Sequence, residues 1–231
     1  MQQEAGQKPA KRRKVVIFGD SAFAEIAYEY FTWDSDYEVV GFTLSASHLK
    51  RDRLFNLPVV SFETLAQRFP PSEHELFIAL IYHDMNQRRA DFYHRGKELG
   101  YRMANYVSSK AFIWRNVKMG DNCFIFENNV VQPFVELGSN IVLWSGNHIG
   151  HHSRIASHCF FASHIVVSGF VGVGEFCFFG VNATVANNLT IGSRCLVGAG
   201  TLIVKDVAEG SVFKGTRSQP VPDLTSDKVK L

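Results

Sequence analysis

The chain has 231 residues, long enough for one large domain or two small ones without disulfide or metal staples. Its 24 Lys+Arg against 22 Asp+Glu leave a net charge of +2, so no global field selects nucleic acid or an anionic membrane surface as partner. Four cysteines are too few for a disulfide scaffold, no apolar run reaches about 18 residues, and the first residues carry no apolar signal segment. These features predict a soluble, cytoplasmic protein with free thiols and with neither nucleic acid nor membrane as partner. One number is unusual: 20 Phe against 3 Trp and 7 Tyr.

Residues 1–13 are polar and end in Lys11-Arg12-Arg13, which reads as a flexible, solvated tail. From residue 14 to 110 short apolar runs alternate with helical ones. Val15 to Phe18 is a buried strand ending at Gly19, and Phe23 to Phe31 has apolar residues at helical spacing. Glu38 to Phe42 and Leu57 to Val60 are further strands, and Ser61 is placed to cap a helix reaching Phe69, stopped by Pro70-Pro71. Leu76 to Ile81 is a fourth strand, Asn86 to Leu99 an amphipathic helix ended by Gly100, and Met103 to Val107 a fifth strand. Alternation of this kind predicts an α/β domain with a parallel, Rossmann-like sheet and a crevice at the strand C-termini.

After Ala111 a six-residue period replaces the helical one. Every sixth residue from Ile113 to Ile203 is apolar, sixteen positions in succession, and eleven of the sixteen following residues are Gly, Ala or Ser. This is the hexapeptide signature of a parallel β-helix, predicted over 111–205 with a closing segment over 206–231. The small residues predict tight corners, with glycine free to adopt positive φ. Three hexads make an 18-residue triangular coil, so residues 18 apart stack at about 4.8 Å. Cys123, Cys159, Cys177 and Cys195, separated by 36, 18 and 18, then form one inward column with Ile141 filling the gap. Phenylalanines such as Phe160, Phe161, Phe176, Phe178 and Phe179 fill the prism where they point inward; outward ones call for a neighbouring subunit as cover.

Five of nine histidines fall between 148 and 164. His152, His158 and His164 share one hexad phase, which assigns them to three successive parts of the coil, so they do not converge as metal ligands within one chain. His151 differs, because the stacking rule sets Gly169 one coil above it and Pro133 one below. An imidazole beside a glycine backbone offers a base and an unobstructed N–H to one reacting centre, an arrangement suited to acyl transfer.

The residues Val15-Val16-Ile17-Phe18-Gly19, Tyr106 to Ala111, Gly150-His151, Gly180 to Val185, Val197 to Gly200 and Lys205-Asp206-Val207 resemble the bacterial sugar acetyltransferases of the bacillosamine and sialic-acid pathway type. The resemblance implies a left-handed β-helix, a homotrimer, and acetyl transfer from acetyl-CoA to the amino group of a nucleotide-linked deoxy amino sugar in surface-glycan (O-antigen, lipopolysaccharide) synthesis, without a metal. It further implies His151 as base, the Gly169 amide at the acetyl carbonyl, and the coenzyme along Gly169, Gly198, Ala199 and Lys205. The nucleotide sugar would lie at Gly19, Asp20, Ser21, Ala22, Asn86 and Arg89. The family commonly has an acidic residue after the base; here it is His152, and no Asp or Glu occurs between Leu137 and Gly174. A carbonyl, a water, another imidazole or a carboxylate from elsewhere must orient His151, and Asn147, His148, His152 and His164 are the candidate supporting residues. The alternatives are sugar O-acetylation on the same scaffold, a zinc-dependent hydratase of the gamma-carbonic-anhydrase type, and a non-catalytic trimeric binding module.

Overall fold

The computed structural model describes residues 13–216 together with Gln219 and Pro222; Lys11 and Arg12 of the basic run lie outside these. Strand β1 (Arg13–Phe18) opens the first domain, followed by α1 (Ala22–Trp33) and β2 (Tyr37–Leu44). A short antiparallel pair, β3 (Arg53–Leu54) and β4 (Leu57–Ser61), leads through a 3-10 turn to the brief α2 (Leu65–Arg68). Then come β5 (His74–Ile78), α3 (Gln87–Glu98) and β6 (Arg102–Met103). The sheet order is β3-β4-β2-β1-β5-β6, parallel apart from the β3/β4 pair. Chain order reverses at β1, which leaves a crevice beyond its C-terminal end.

Among the boundaries that differ from the sequence reading, two have a visible cause. Arg13 is already in β1, because its guanidinium makes a bidentate pair with the buried Glu75 (2.6 and 2.7 Å). The single strand expected over Met103 to Val107 is two strands in two sheets. Arg102–Met103 finishes the α/β sheet, whereas Tyr106–Val107 pairs with Phe124–Ile125 and starts the first coil of the second domain.

That domain is a triangular prism of parallel two-residue strands. One face stacks seven strands from Tyr106–Val107 to Val212–Phe213 and lies against the α/β domain; we call it the docked face. The second, the open face, runs from Phe112–Ile113 through His148–Ile149 to Leu202–Ile203. The third, the charged face, runs from Lys118–Met119 to Thr190–Ile191 and carries the Lys118–Glu136–Arg154 ion-pair ladder. Partners within each face are 18 residues apart through most of the prism, as the period requires. The four cysteines are buried in one column with Ile141 among them, all as thiols, and burial pushes Cys123 up to about 12.

The corners correct one expectation. The glycines after the inward residues do not turn the chain. A Cβ on Gly150, Gly174 or Gly180 would lie 2.5 Å from backbone of the next coil, so these sites need glycine for close approach. Positive φ falls two residues later, at every sixth residue from Asn122 to Gly200. Asn and His predominate there, with Phe134, Phe170, Phe176 and Arg194 besides. Asn and His are the residue types that tolerate this conformation best after glycine. The shared phase of His152, His158 and His164 is thus a backbone requirement of three different corners.

The outward phenylalanines of the docked side are covered within one chain. Phe124 and Phe160 on the docked face and Phe126 beside it pack with Phe23 and Phe31 of α1, and all five are buried. For Phe124, Phe126 and Phe160 the cover is the chain's own first domain, whereas Phe112, Phe134 and Phe170 remain exposed. At ~1.5–3 kcal/mol per buried ring, such a junction contributes on the order of 10 kcal/mol. Polar welds flank it. Tyr30 donates to Glu127 (2.8 Å) on one side, and on the other Tyr93 and Lys97 hold Asp121 (2.6 and 2.7 Å).

Candidate active site

His151 stands at the corner between the open and charged faces, exposed, in the loop after His148–Ile149. Its N–H donates to Gln132 Oε1 (2.9 Å), and its carbonyl accepts from Phe170 N–H (2.9 Å), so the backbone beneath the ring is held from the coils on either side. The imidazole lies against Gly169. A Cβ there would be 2.8 Å from His151 Cε1 and 3.0 Å from Nε2, which makes glycine the only residue that leaves the ring where it is.

The Gly169 N–H is the second component. At equivalent corner sites the amide is capped by a serine one coil above: Asp121 by Ser139, Ser139 by Ser157, Glu175 by Ser193. Above Gly169 stands Asn187 instead of a serine. Asn187 is exposed, and among the described residues neither its side-chain oxygen nor any other group accepts the Gly169 N–H. An exposed imidazole therefore lies against a residue whose amide is uncommitted, the two groups that a general base and an oxyanion donor require. Asn187 and Gln132 were overlooked in the sequence, although the 18-residue stacking rule pointed to Asn187.

The supporting residues disperse. Asn147 is buried, its amide donating to Trp144 O (2.5 Å) and accepting from Ile165 N–H (2.8 Å), so it braces the prism interior and does not reach His151. His148 lies on the open face between Val130 and Val166. His164 is at the corner between docked and open faces, over Gly146, and cannot support the His151 of its own chain. His152 is beside it: the Nδ1 atoms of His151 and His152 are 3.1 Å apart. His158 is buried at the third corner, 2.9 Å from Asn140 Nδ2.

The expected coenzyme positions also divide between corners. Lys205 is exposed, three coils above His151 in the same column. Gly198 and Ala199 stand across the open face, with Gly198 packed beneath the closing strand close to Phe213 O.

The α/β domain contributes two adjoining clefts. One, of about 230 Å³, lies beyond β1 and β5 and is lined by Gly19, Asp20, Ser21, His48, His83 and Arg88. Gly19 has φ +130, and a Cβ there would approach Ala79 O to 2.9 Å. The α1 N-terminus opens beside it, and Ser21 makes no side-chain cap, so the first amides of the helix are available to an anion. Asp20 is partly neutralised by Arg51 (3.5 Å). The second cleft, of about 410 Å³, shares Ser21 and Ile81 with the first and reaches the prism at Trp144, Ala162, Ser163 and Val181. Ala22 also lines it. A concavity of about 730 Å³ on the charged face is a shallow trough with neither His151 nor Gly169 in its lining.

Asn86 and Arg89 do not line either cleft, which corrects their assignment to the nucleotide. Both are fully buried at the domain junction. Arg89 donates to Asn140 Oδ1 (3.1 Å), Asn86 Oδ1 (3.1 Å) and the carbonyls of Ile81 (3.2 Å) and Cys159 (3.1 Å), while Asn86 Nδ2 reaches Cys177 O (3.2 Å). Burial lowers the guanidinium pKa to about 10, still a cation at neutral pH. The cleft instead receives the neighbouring Arg88, exposed on the other side of α3. Helical phase separates the two arginines: Arg89, Ala90, Tyr93 and Gly96 form the buried stripe.

No family model matches the chain, and no curated protein matches it either. Solved structures do. A variant of perosamine N-acetyltransferase from Caulobacter crescentus, with asparagine in place of a histidine and in complex with CoA and GDP-perosamine, is similar with a TM-score of 0.78 and 22% identity, over 87% of this chain and 93% of that one. The acetyltransferase domain of PglB from Neisseria gonorrhoeae, in complex with acetyl coenzyme A, has a TM-score of 0.76 and 18% identity over 90% and 99% of the two chains. WeeI from Acinetobacter baumannii gives 0.67 and 19% over 88% and 97%. These likenesses establish the architecture of the whole described chain: an α/β domain leading into a left-handed parallel β-helix.

Proposed function

We propose that the protein is an N-acetyltransferase that moves acetyl from acetyl-CoA to the amino group of a nucleotide-linked deoxy amino sugar, acting in the cytoplasm in surface-glycan synthesis. The observation that carries this reading is the exposed His151 imidazole lying against Gly169, whose N–H has no acceptor among the described residues. The complexes of the similar proteins, with CoA and GDP-perosamine in one and acetyl coenzyme A in another, support the same substrate classes.

The residues suit each part of the reaction. The amine attacks as the neutral base, forming the N–C bond and leaving negative charge on the former carbonyl oxygen, which Gly169 N–H holds. His151 Nε2 takes one proton from the attacking nitrogen; its Nδ1 is already engaged with His152. As the C–S bond breaks, His151 returns that proton to the departing sulfur. The products are the amide and the free thiol, and the imidazole ends neutral. Lys205 supplies a cation for the coenzyme's phosphates farther up the same corner. In the α/β domain, Arg88, His48 and the α1 N-terminus offer donors to a nucleotide diphosphate in the smaller cleft. The larger, mainly apolar cleft beside it suits a deoxy sugar.

A homotrimer completes this reading. The sugar cleft reaches the docked–open corner, whereas His151 stands at the open–charged corner, across the full width of the open face. That face is apolar, with Phe112, Val166 and Leu202 exposed on it and Trp114 and Val204 at its edge. Three such faces packed around a threefold axis bring each His151 corner to the next chain's Val181 and Ala199 corner, so that one chain's cleft feeds another chain's base. Free-thiol release from acetyl-CoA tests the reading, with GDP-, UDP- and dTDP-linked amino sugars assayed beside their hydroxyl counterparts. Release with an amino sugar alone is expected; release only with hydroxyl sugars would replace N- by O-acetylation.

A further inference from the structure

We propose that His152 is the positioning residue for His151, taking the place of the carboxylate that this part of the chain lacks. The inference rests on His151 being the base. Their Nδ1 atoms are 3.1 Å apart, a contact that needs a proton on one nitrogen and a lone pair on the other. A base that works through Nε2 keeps its proton on Nδ1, so His151 donates and His152 accepts, with the His152 proton on Nε2. His151 is thereby fixed in the reactive tautomer and its ring is held over Gly169. When Nε2 takes up the substrate proton, Nδ1–H becomes a stronger donor to the same neutral acceptor.

The setting of His152 is that of a clamped part. Its ring is stacked between Phe134 (centroids 4.7 Å, 24°) and Phe170 (4.7 Å, 13°), and His151 stands edge-on to Phe170 at 88°. The two phenylalanines are 57% and 53% exposed and both occupy left-handed corners, φ 64 and 58. Such a conformation disfavours a large side chain, and burial within the chain does not explain them. Holding an imidazole plane at a set angle does. The charged groups nearest on the adjoining strands, Arg154 and Glu136, are paired with each other (3.3 Å), so neither replaces His152.

Two variants separate this role from mere packing, and both use residues already present in this corner column. His152→Phe repeats the residue at 134 and 170 and keeps the stack, but it removes the acceptor. His152→Asn repeats Asn188, φ 61, and sets an amide oxygen close to where Nδ1 was. We expect His152→Phe to lower kcat 10- to 100-fold with KM for both substrates within about twofold, and His152→Asn to recover kcat to within about threefold of the parent. A His152→Phe enzyme with parental kcat, or a His152→Asn enzyme as slow as it, overturns the proposal. Histidine 15N spectra of the parent protein give a readout without turnover. His151 protonated on Nδ1 and His152 on Nε2 supports the pairing, and the reverse assignment overturns it. If His151→Ala retains full turnover, it is the reading of His151 as base that fails, whatever the spectra show.

Discussion

At His151 and Gly169 chemistry depends on a single missing side chain. The imidazole rests where a Cβ on residue 169 would be, 2.8 Å from Cε1. Gly169→Ala is therefore expected to push the exposed ring aside without touching the prism interior, lowering kcat at least tenfold while the melting temperature stays within a few degrees; parental kcat would show that the ring does not need this seat. His151→Asn removes the proton acceptor and leaves the corner backbone intact. It should lower kcat by about 10²–10⁴ with circular dichroism unchanged, measured by thiol release at saturating substrates. His151 and Gly169 were legible because an 18-residue period turns sequence distance into vertical distance. The Asn147 side chain was misread for the complementary reason: a side chain's direction at a corner depends on φ and ψ, which the period does not report.

Among elements, the join between α3 and the charged–docked corner couples the two domains. Asn122 Nδ2 donates to Asn140 Oδ1 (2.8 Å), Asn140 is bonded to His158 (2.9 Å), and Arg89 inserts among them with no carboxylate partner among the described residues. Burial, with His94 and Arg89 nearby, lowers the His158 pKa to about 4, from an ordinary value near 6.5. The folded protein resists a proton that the unfolded chain accepts. The stability tied to neutral His158 is thus whole above about pH 6.5 and is lost progressively as pH falls towards 4, on the order of 3 kcal/mol in all. His158→Asn repeats the residue found at 122 and 140 in the same column. It should flatten the fall in melting temperature between pH 6.5 and 4; an unchanged slope would assign the acid sensitivity to other groups. Sequence pattern found α3 but assigned Arg89 to the nucleotide, since one residue along a helix is about 100° of rotation and the buried side is chosen by what packs against it.

For the molecule as a whole, three faces have three fates. The docked face is covered by the chain's own α/β domain, the charged face is solvated through its Lys118–Glu136–Arg154 ladder, and the open face keeps exposed apolar residues. Val166→Asp sets a charge in the centre of the open face. It is expected to shift the proposed trimer to monomer in light scattering and to abolish thiol release, although each chain keeps its own His151. A monomer with full activity would show that one chain houses the complete site.

From the sequence by itself came the α/β start, the coil period, the inward cysteine column and the His151–Gly169 stack, because each depends on local alternation or on a repeat that converts directly into geometry. Only the tertiary structure decided what those elements do to one another. It put Tyr106–Val107 into the prism, covered Phe124, Phe126 and Phe160 with α1, withdrew Asn86 and Arg89 from the nucleotide cleft in favour of Arg88, and set His152 against His151. These outcomes follow from packing between segments far apart in sequence and from the left-handed corner conformation, and neither is written in a hydrophobic period.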